Sequence, residues 1–168
     1  MKQLLITLLF IYATAAANAQ DVETKTISNS EYQIEYPTTW IYENSGTGGS
    51  KFLIVSPKDG ANDRFRENVN LIVQDLSASP MTLDEFTELS LSQYASLGVE
   101  VLENKRTANP LRQMLVINMD QSGYELKLLQ YYWIVNDQAY VLTLTCLKND
   151  QERYWKDGQK IMDSFKIK

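Results

Sequence analysis

Hydrophobic and polar residues alternate along much of the chain, and this alternation predicts a protein built mainly from β-strands. With a period of two residues, one face of each strand is apolar and the other is polar. The pattern predicts strands at residues 22–28, 31–36, 52–55, 68–76, 99–106, 111–119, 124–135 and 138–147. A short apolar stretch at residues 40–42 is left without an assignment.

The dipeptide Asn136-Asp137 separates the last two predicted strands and is typical of a two-residue hairpin turn. Such a turn fixes which residues face each other, so we expect Trp133 opposite Tyr140. Both faces of this hairpin are largely apolar, which predicts packed layers on both sides of the sheet. Cys146 then lies on an apolar sheet face, where a buried, unreactive thiol is the expected state and a reactive one the alternative.

Two segments with a helical period interrupt the strands. Thr82 and Glu85 have the spacing of a capping box, and Gly98 supplies the left-handed residue that ends a helix over residues 83–97. The apolar stripe of this helix consists of Leu83, Phe86, Ser90, Tyr94 and Leu97. A second helix at about residues 150–165 carries the stripe Tyr154, Gly158, Ile161, Met162 and Phe165. Antiparallel strands with two inserted helices indicate an α+β fold.

The first residues have the three-part layout of a secretory signal peptide. Lys2 precedes an apolar run at residues 4–12, and Ala17-Asn18-Ala19 provides a small-residue cleavage site. The apolar run is shorter than the ~20 residues that span a bilayer, so we expect cleavage rather than a membrane anchor. The pattern predicts a cleaved signal at residues 1–19 and one domain at 20–168. The protein would then be exported, periplasmic or secreted, without stable membrane insertion.

The composition limits the partners and the catalytic groups that the chain can have. Acidic residues outnumber basic ones by 21 to 16, and the formal net charge is −5. A chain of this charge repels phosphate backbones, so we expect no nucleic-acid partner. One cysteine and no histidine exclude a Ser-His-Asp triad, a Cys-His pair and a four-ligand zinc site. We expect no cofactor, and catalysis would have to rest on carboxylate, Tyr, Lys or Ser side chains.

Aromatic residues next to loops suggest a recognition surface. The candidate residues are Trp40, Tyr42, Arg64, Phe65 and Arg66, with the loops at residues 45–50 and 59–66. Aromatic and arginine side chains are common where proteins bind partners. The two loops flank the same strand, one at each end, so whether they meet stays open. The alternative for Trp40 is a core position that anchors the turn after Pro37.

Several segments, in order, resemble the PsbP/DcrB-like proteins. The resemblance rests on Tyr32–Trp40, which fits the pattern Y-x-I-x-Y-P-x-x-W, and on Asn68–Val73, Ala139–Thr145, Tyr154 and Ile161–Phe165. It implies an α/β/α sandwich around a mainly antiparallel sheet, and a protein that is not an enzyme. Plant and cyanobacterial members of this family attach to photosystem II, a yeast relative acts on a nuclear-import GTPase, and bacterial members are envelope proteins. The metal sites of photosynthetic members involve histidine, so no functional residue carries over to this chain.

Three functions follow as hypotheses. The first is a non-enzymatic binding or assembly protein of the bacterial envelope, whose partner is an unknown envelope protein. The second is a carrier of a small apolar ligand in a sheet–helix pocket, which a dry cavity beneath the helix at residues 82–97 would favour. The third is a carboxylate-based hydrolase, which two carboxylates about 5–9 Å apart in a cleft would favour.

Overall fold

The computed structural model describes residues 22–149 and 151–168. The predicted signal peptide lies outside these residues. The strands are β1 Thr24–Ser28, β2 Tyr32–Pro37, β3 Ile41–Glu43, β4 Phe52–Val55, β5 Asn68–Asp75, β6 Glu100–Ala108, β7 Leu111–Gln121, β8 Tyr124–Val135, β9 Gln138–Leu147 and β10 Lys166–Ile167. The helices are α1 Leu83–Ser96 and α2 Gln151–Asp163. No helix within the described ranges is long and apolar enough to cross a membrane.

Within the described residues, seven strands form the main sheet, in the order β3-β4-β5-β9-β8-β7-β6, and every neighbouring pair is antiparallel. The hairpin of β8 and β9 has the predicted register, with Trp133 opposite Tyr140. Asn136 and Asp137 form its turn with φ values of 51° and 56°. Two consecutive residues with positive φ match the twist of the flanking strands, which is why a two-residue turn fixes this register.

The two helices cover opposite faces of the main sheet. Along β8, Leu128 and Tyr132 pack in the same cluster as Phe86 of α1. The alternate residues Leu129 and Tyr131 pack in a second cluster with α2. Side chains of a strand point alternately to its two faces, so the architecture is the predicted α/β/α sandwich and the α+β fold class is confirmed.

Helix α1 begins and ends through local interactions. The Thr82 hydroxyl accepts a hydrogen bond from the Glu85 N–H at 3.2 Å, and the Glu85 carboxylate accepts one from the Thr82 N–H at 2.7 Å. The predicted place of Leu97 in the apolar stripe is wrong, because the helix ends at Ser96 and Leu97 is 74% exposed. Gly98 has the expected left-handed conformation, with φ of 68°.

Helix α2 packs closely against β9. All five residues of its predicted stripe are buried. At Gly158 an added Cβ would lie 2.7 Å from Leu144 Cδ2 and 3.1 Å from Leu144 Cγ, with Leu144 Cδ1 closer still. Leu144 is fully buried, so the absence of a side chain at Gly158 is what allows this approach.

A second, small sheet was not predicted. It has three strands in the order β1-β2-β10. β10 joins it by pairing Lys166 with Gln33 and Ile167 with Tyr32. Tyr32 and Ile34 of β2 are buried in the same cluster as α2, so the small sheet extends the core on the α2 side.

Among the residues that the structure describes, the long strand β6 forms one edge of the main sheet and has β7 as its single partner strand. Its pairing with β7 is interrupted by a register shift between Val101 and Glu103. The side chain of Lys105 forms a 2.6 Å ion pair with Glu103, and Leu102 at the irregularity is 44% exposed. The edge is therefore irregular and charged.

Candidate functional site

Trp40 and Tyr42, two of the five candidates for the recognition surface, pack in or against the core. Trp40 is only 4% exposed and makes an edge contact with Tyr154 of α2, with ring centroids 6.1 Å apart. Tyr42 is half-buried and stacks against Tyr36 at 6.3 Å. The core interpretation of Trp40 therefore holds, and this side chain is not available to a partner.

The other three candidates, Arg64, Phe65 and Arg66, lie in the loop at residues 56–67. Phe65 is half-buried against Tyr124, with ring centroids 5.1 Å apart. Arg66 donates a hydrogen bond from Nε to the carbonyl oxygen of Ser56 at 2.7 Å, whereas Arg64 is exposed.

These residues do not meet in one surface. Trp40 and Tyr42 belong to the core cluster on the α2 face, whereas Phe65 packs against the cluster on the α1 face. The loops at residues 45–50 and 56–67 leave β4 from opposite ends. The structure thus separates the predicted candidates rather than assembling them.

The loop at residues 56–67 is held to α2 by polar contacts. Asp59 pairs with Arg153 at 2.7 Å and accepts a hydrogen bond from the Tyr154 hydroxyl. Burial, together with the neighbouring Asp59 carboxylate, raises the pKa of Tyr154. The buried Ser56 hydroxyl donates to the buried Glu67 carboxylate at 3.2 Å. These contacts make the loop a fixed part of the fold.

Cys146 has the predicted position on an apolar sheet face. It is fully buried and forms no disulfide. Burial, with a smaller effect from the Glu67 carboxylate, raises the pKa of its thiol to about 12. A thiol of this kind is protonated and shielded, which favours the structural interpretation over a reactive one.

A groove at the C-terminal end of α2 is the strongest candidate for a site. It has a volume of about 370 Å³. Its lining residues are Pro110, Trp133, Val135, Asp163, Phe165, Lys166 and Ile167. Most of these side chains are apolar, and they come from three separate parts of the chain.

Local structure explains how these residues meet. The alternation along β8 places Trp133 and Val135 on the α2 face, because both share the parity of Tyr131. α2 ends at Asp163, and the Ser164 hydroxyl then accepts a hydrogen bond from the Glu35 N–H at 2.9 Å. This bond directs the following residues along β2, so that they form the opposite wall.

Aromatic contacts fix the floor of the groove. Phe165 lies 5.3 Å from Trp133 and 5.8 Å from Tyr32, measured between ring centroids. Trp133 also makes an edge contact with Tyr131 at 5.9 Å. Interlocked rings of this kind lose little conformational entropy when a ligand binds, because they are already ordered.

A polar cluster borders one end of the groove. Asp163 accepts hydrogen bonds from Arg112 and from the Tyr131 hydroxyl, both at 2.9 Å. The Arg112 guanidinium also lies over the Tyr131 ring, 3.6 Å from its centroid. Burial raises the pKa of Tyr131, and the neighbouring Arg112 opposes that shift. The negative charge of the Asp163 carboxylate is therefore already balanced by its two donors.

The groove lies on the face opposite to the one where a ligand pocket was predicted. Beneath α1, the space is filled by Phe86, whose ring packs edge-on against Tyr132 at 5.4 Å. The hydroxyl of Tyr94 donates to the Gln130 amide oxygen at 2.7 Å in the same layer. Large aromatic residues of α1 and β8 therefore occupy the layer in which the sequence predicted a pocket.

Acidic side chains line a smaller cavity elsewhere. It has a volume of about 210 Å³, and Glu100, Asp120 and Glu125 are among its lining residues. Within residues 22–149 and 151–168, no group of three Cys, Asp or Glu side chains has the arrangement to hold a metal ion.

The sequence matches no family model and no curated protein, but solved structures resemble it. A cyanobacterial PsbP from Synechocystis superposes with a TM-score of 0.57 and 14% identity, over 93% of this chain and 99% of that one. The chain has a PsbP-like fold. The resemblance expected from the sequence is thereby confirmed at the level of the fold.

Two other solved structures share the PsbP-like fold. LpqN of Mycobacterium tuberculosis, described as involved in cell envelope biogenesis, superposes with a TM-score of 0.58 and 12% identity, over 86% of this chain and 90% of that one. A Pseudomonas aeruginosa protein of unknown function superposes with a TM-score of 0.53 and 14% identity, over 82% and 94%. At these identities the likeness describes the PsbP-like fold alone.

Proposed function

We propose that this chain is an exported, non-enzymatic binding protein of the bacterial envelope that holds a small apolar ligand in the groove at the end of α2. The groove carries the proposal. Ligand sites in proteins are concave, mostly apolar and roughly 300–1,000 Å³ in volume, with a few polar groups at the edge. A groove of about 370 Å³ lined by Trp133, Val135, Phe165 and Ile167 fits that description.

Titration with a neutral apolar fluorophore, N-phenylnaphthylamine, tests the proposal. We expect a saturable rise in its emission, with one probe bound per chain. Val135→Trp should abolish that rise, because the larger ring occupies the groove. Val135 is half-buried, so its replacement leaves the centre of the core unchanged.

A matched control is Ile72→Trp. Ile72 is also an apolar strand residue, 38% exposed, but it lies on β5 outside the groove lining. This variant should bind the probe as the unmodified protein does. Urea unfolding of all three proteins separates loss of binding from loss of folding. The proposal is wrong if the probe shows no saturable binding, or if folded Val135→Trp binds it normally.

Export is the second part of the proposal. It rests on the signal-peptide pattern at residues 1–19 and on the described role of LpqN, which shares the fold. Intact-mass measurement of the protein from its native source should show Gln20, or its cyclised form, as the first residue. A mature protein that retains the apolar run at residues 4–12 would contradict export by cleavage.

Assembly on an envelope protein is the alternative function. It is favoured by the exposed apolar side chains of Ile41 on β3 and Ile72 on β5, which are 50% and 38% exposed. Under this alternative, Ile41→Lys and Ile72→Lys should each remove a copurifying envelope partner, whereas Val135→Trp should not. The ligand proposal predicts the reverse pattern for probe binding.

A further inference from the structure

We propose that the groove selects single-chain amphiphiles with an anionic head group, such as a medium-chain carboxylate, and that Lys166 recognises the head. This inference rests on the proposed function, since it concerns the ligand of the same groove. It names a ligand class that the apolar lining alone does not distinguish. The argument follows from the charges at the rim.

Two charged residues line the groove, and they differ in how they are paired. Asp163 already accepts hydrogen bonds from the Arg112 guanidinium and the Tyr131 hydroxyl. A carboxylate with two donors attracts a further cation weakly, because its charge is largely balanced. Its side chain is 46% exposed, yet its preferred partner is already in place.

Lys166 is in the opposite situation. It is exposed, and among the described residues its ammonium group forms no ion pair. The neighbouring residues Phe165 and Ile167 line the groove together with it. Lys166 alternates with these two residues and pairs with Gln33 on the outer face of β2, so its side chain starts at the rim of the groove. Its flexible four-carbon stem lets the ammonium group reach a head group that emerges beside Phe165 and Ile167.

The end of α2 points toward the same region and carries a partial negative charge. Three of its last four carbonyl groups already accept a hydrogen bond, that of Lys160 from the Ser164 N–H at 3.1 Å. The Ile161 carbonyl accepts a hydrogen bond from the Ser164 hydroxyl at 2.6 Å, and the Met162 carbonyl accepts one from the Phe165 N–H at 3.2 Å. This reduces the attraction of the helix end for a cation and leaves the Lys166 charge dominant at the rim.

Competition against bound N-phenylnaphthylamine tests the inference with three chains of equal length: decanoate, decanol and decylammonium. Decanoate should displace the probe at the lowest concentration. In Lys166→Gln, decanoate should lose about two- to five-fold in affinity, the range of an exposed ion pair, while decanol is unaffected. Added salt should reduce the preference for decanoate, because it screens exposed charges.

A charge reversal and a control complete the design. Lys166→Glu should prefer decylammonium over decanoate. Lys156→Gln removes another exposed lysine, on α2 but outside the groove lining, and should keep the preference for decanoate. Probe binding without a preference for decanoate, or a preference unchanged in Lys166→Gln, overturns this inference and leaves the proposed function standing. Absence of probe binding overturns the proposed function itself.

Discussion

Replacing Gly158 with alanine tests how closely α2 approaches the main sheet. In an open helix position this change stabilises a protein by about 0.8–1.0 kcal/mol, because alanine has the higher helix propensity. Here the new methyl group would lie 2.7 Å from Leu144 Cδ2, well inside van der Waals contact. Overpacking of a filled core costs about 1–3 kcal/mol. The two effects together predict a net destabilisation of about 1 kcal/mol.

Urea unfolding followed by far-UV circular dichroism measures this difference. The midpoint should fall while the denaturant dependence stays unchanged. A double-mutant cycle adds a sharper test. Leu144→Ala alone should cost about 2–5 kcal/mol, but in the Gly158→Ala background it should cost at least about 0.5 kcal/mol less, because it also relieves the clash. If Gly158→Ala stabilises the protein like an open helix position, the close approach of α2 to β9 is wrong.

Two further predictions concern the α1 cap and the buried thiol. Thr82→Ala should cost about 1 kcal/mol, whereas Thr47→Ala in the glycine loop should cost almost nothing. Hydrogen bonds from Thr82 lower the pKa of Glu85 below its ordinary value of 4.5, so the stabilising effect of that carboxylate is present above this pH and is lost as the pH falls. Urea unfolding of both variants across acidic pH checks this, and equal costs at neutral pH would contradict the capping box. Cys146 should react slowly with a thiol reagent in the folded protein and rapidly in denaturant, and rapid native labelling would place it on the surface.

Interactions between residues close in sequence were predictable. The register of β8 and β9 follows from the dipeptide Asn136-Asp137, because a two-residue turn leaves one alignment of the flanking strands. The start of α1 follows from Thr82 and Glu85, whose side chains satisfy each other's backbone groups. In both cases, a few neighbouring residues are enough to determine the local structure.

Structures that join distant segments were not predictable in the same way. β10 has only two residues and pairs with Tyr32 and Gln33, far away in the sequence. A two-residue segment shows no periodicity, so nothing local distinguishes it from a loop. The groove depends on this pairing, because β10 forms one of its walls.

The recognition surface was predicted from composition near loops, and composition does not determine which face a residue occupies. Trp40 follows a proline and a turn, a context that suits an exposed residue as well as a buried one. Its contact with Tyr154 requires knowledge of where α2 packs. Predicting the half-buried position of Phe65 likewise requires knowing that Tyr124 lies beside it.

The irregular edge at β6 has a consequence for how the protein behaves at high concentration. A long free strand offers unpaired backbone groups to any neighbouring molecule and can seed aggregation. The register shift beside Val101 twists the edge, and the charges of Glu103 and Lys105 would have to lose water before another strand could dock. Both features oppose the addition of a strand from a second chain at this edge, which lowers the tendency of β6 to seed fibres.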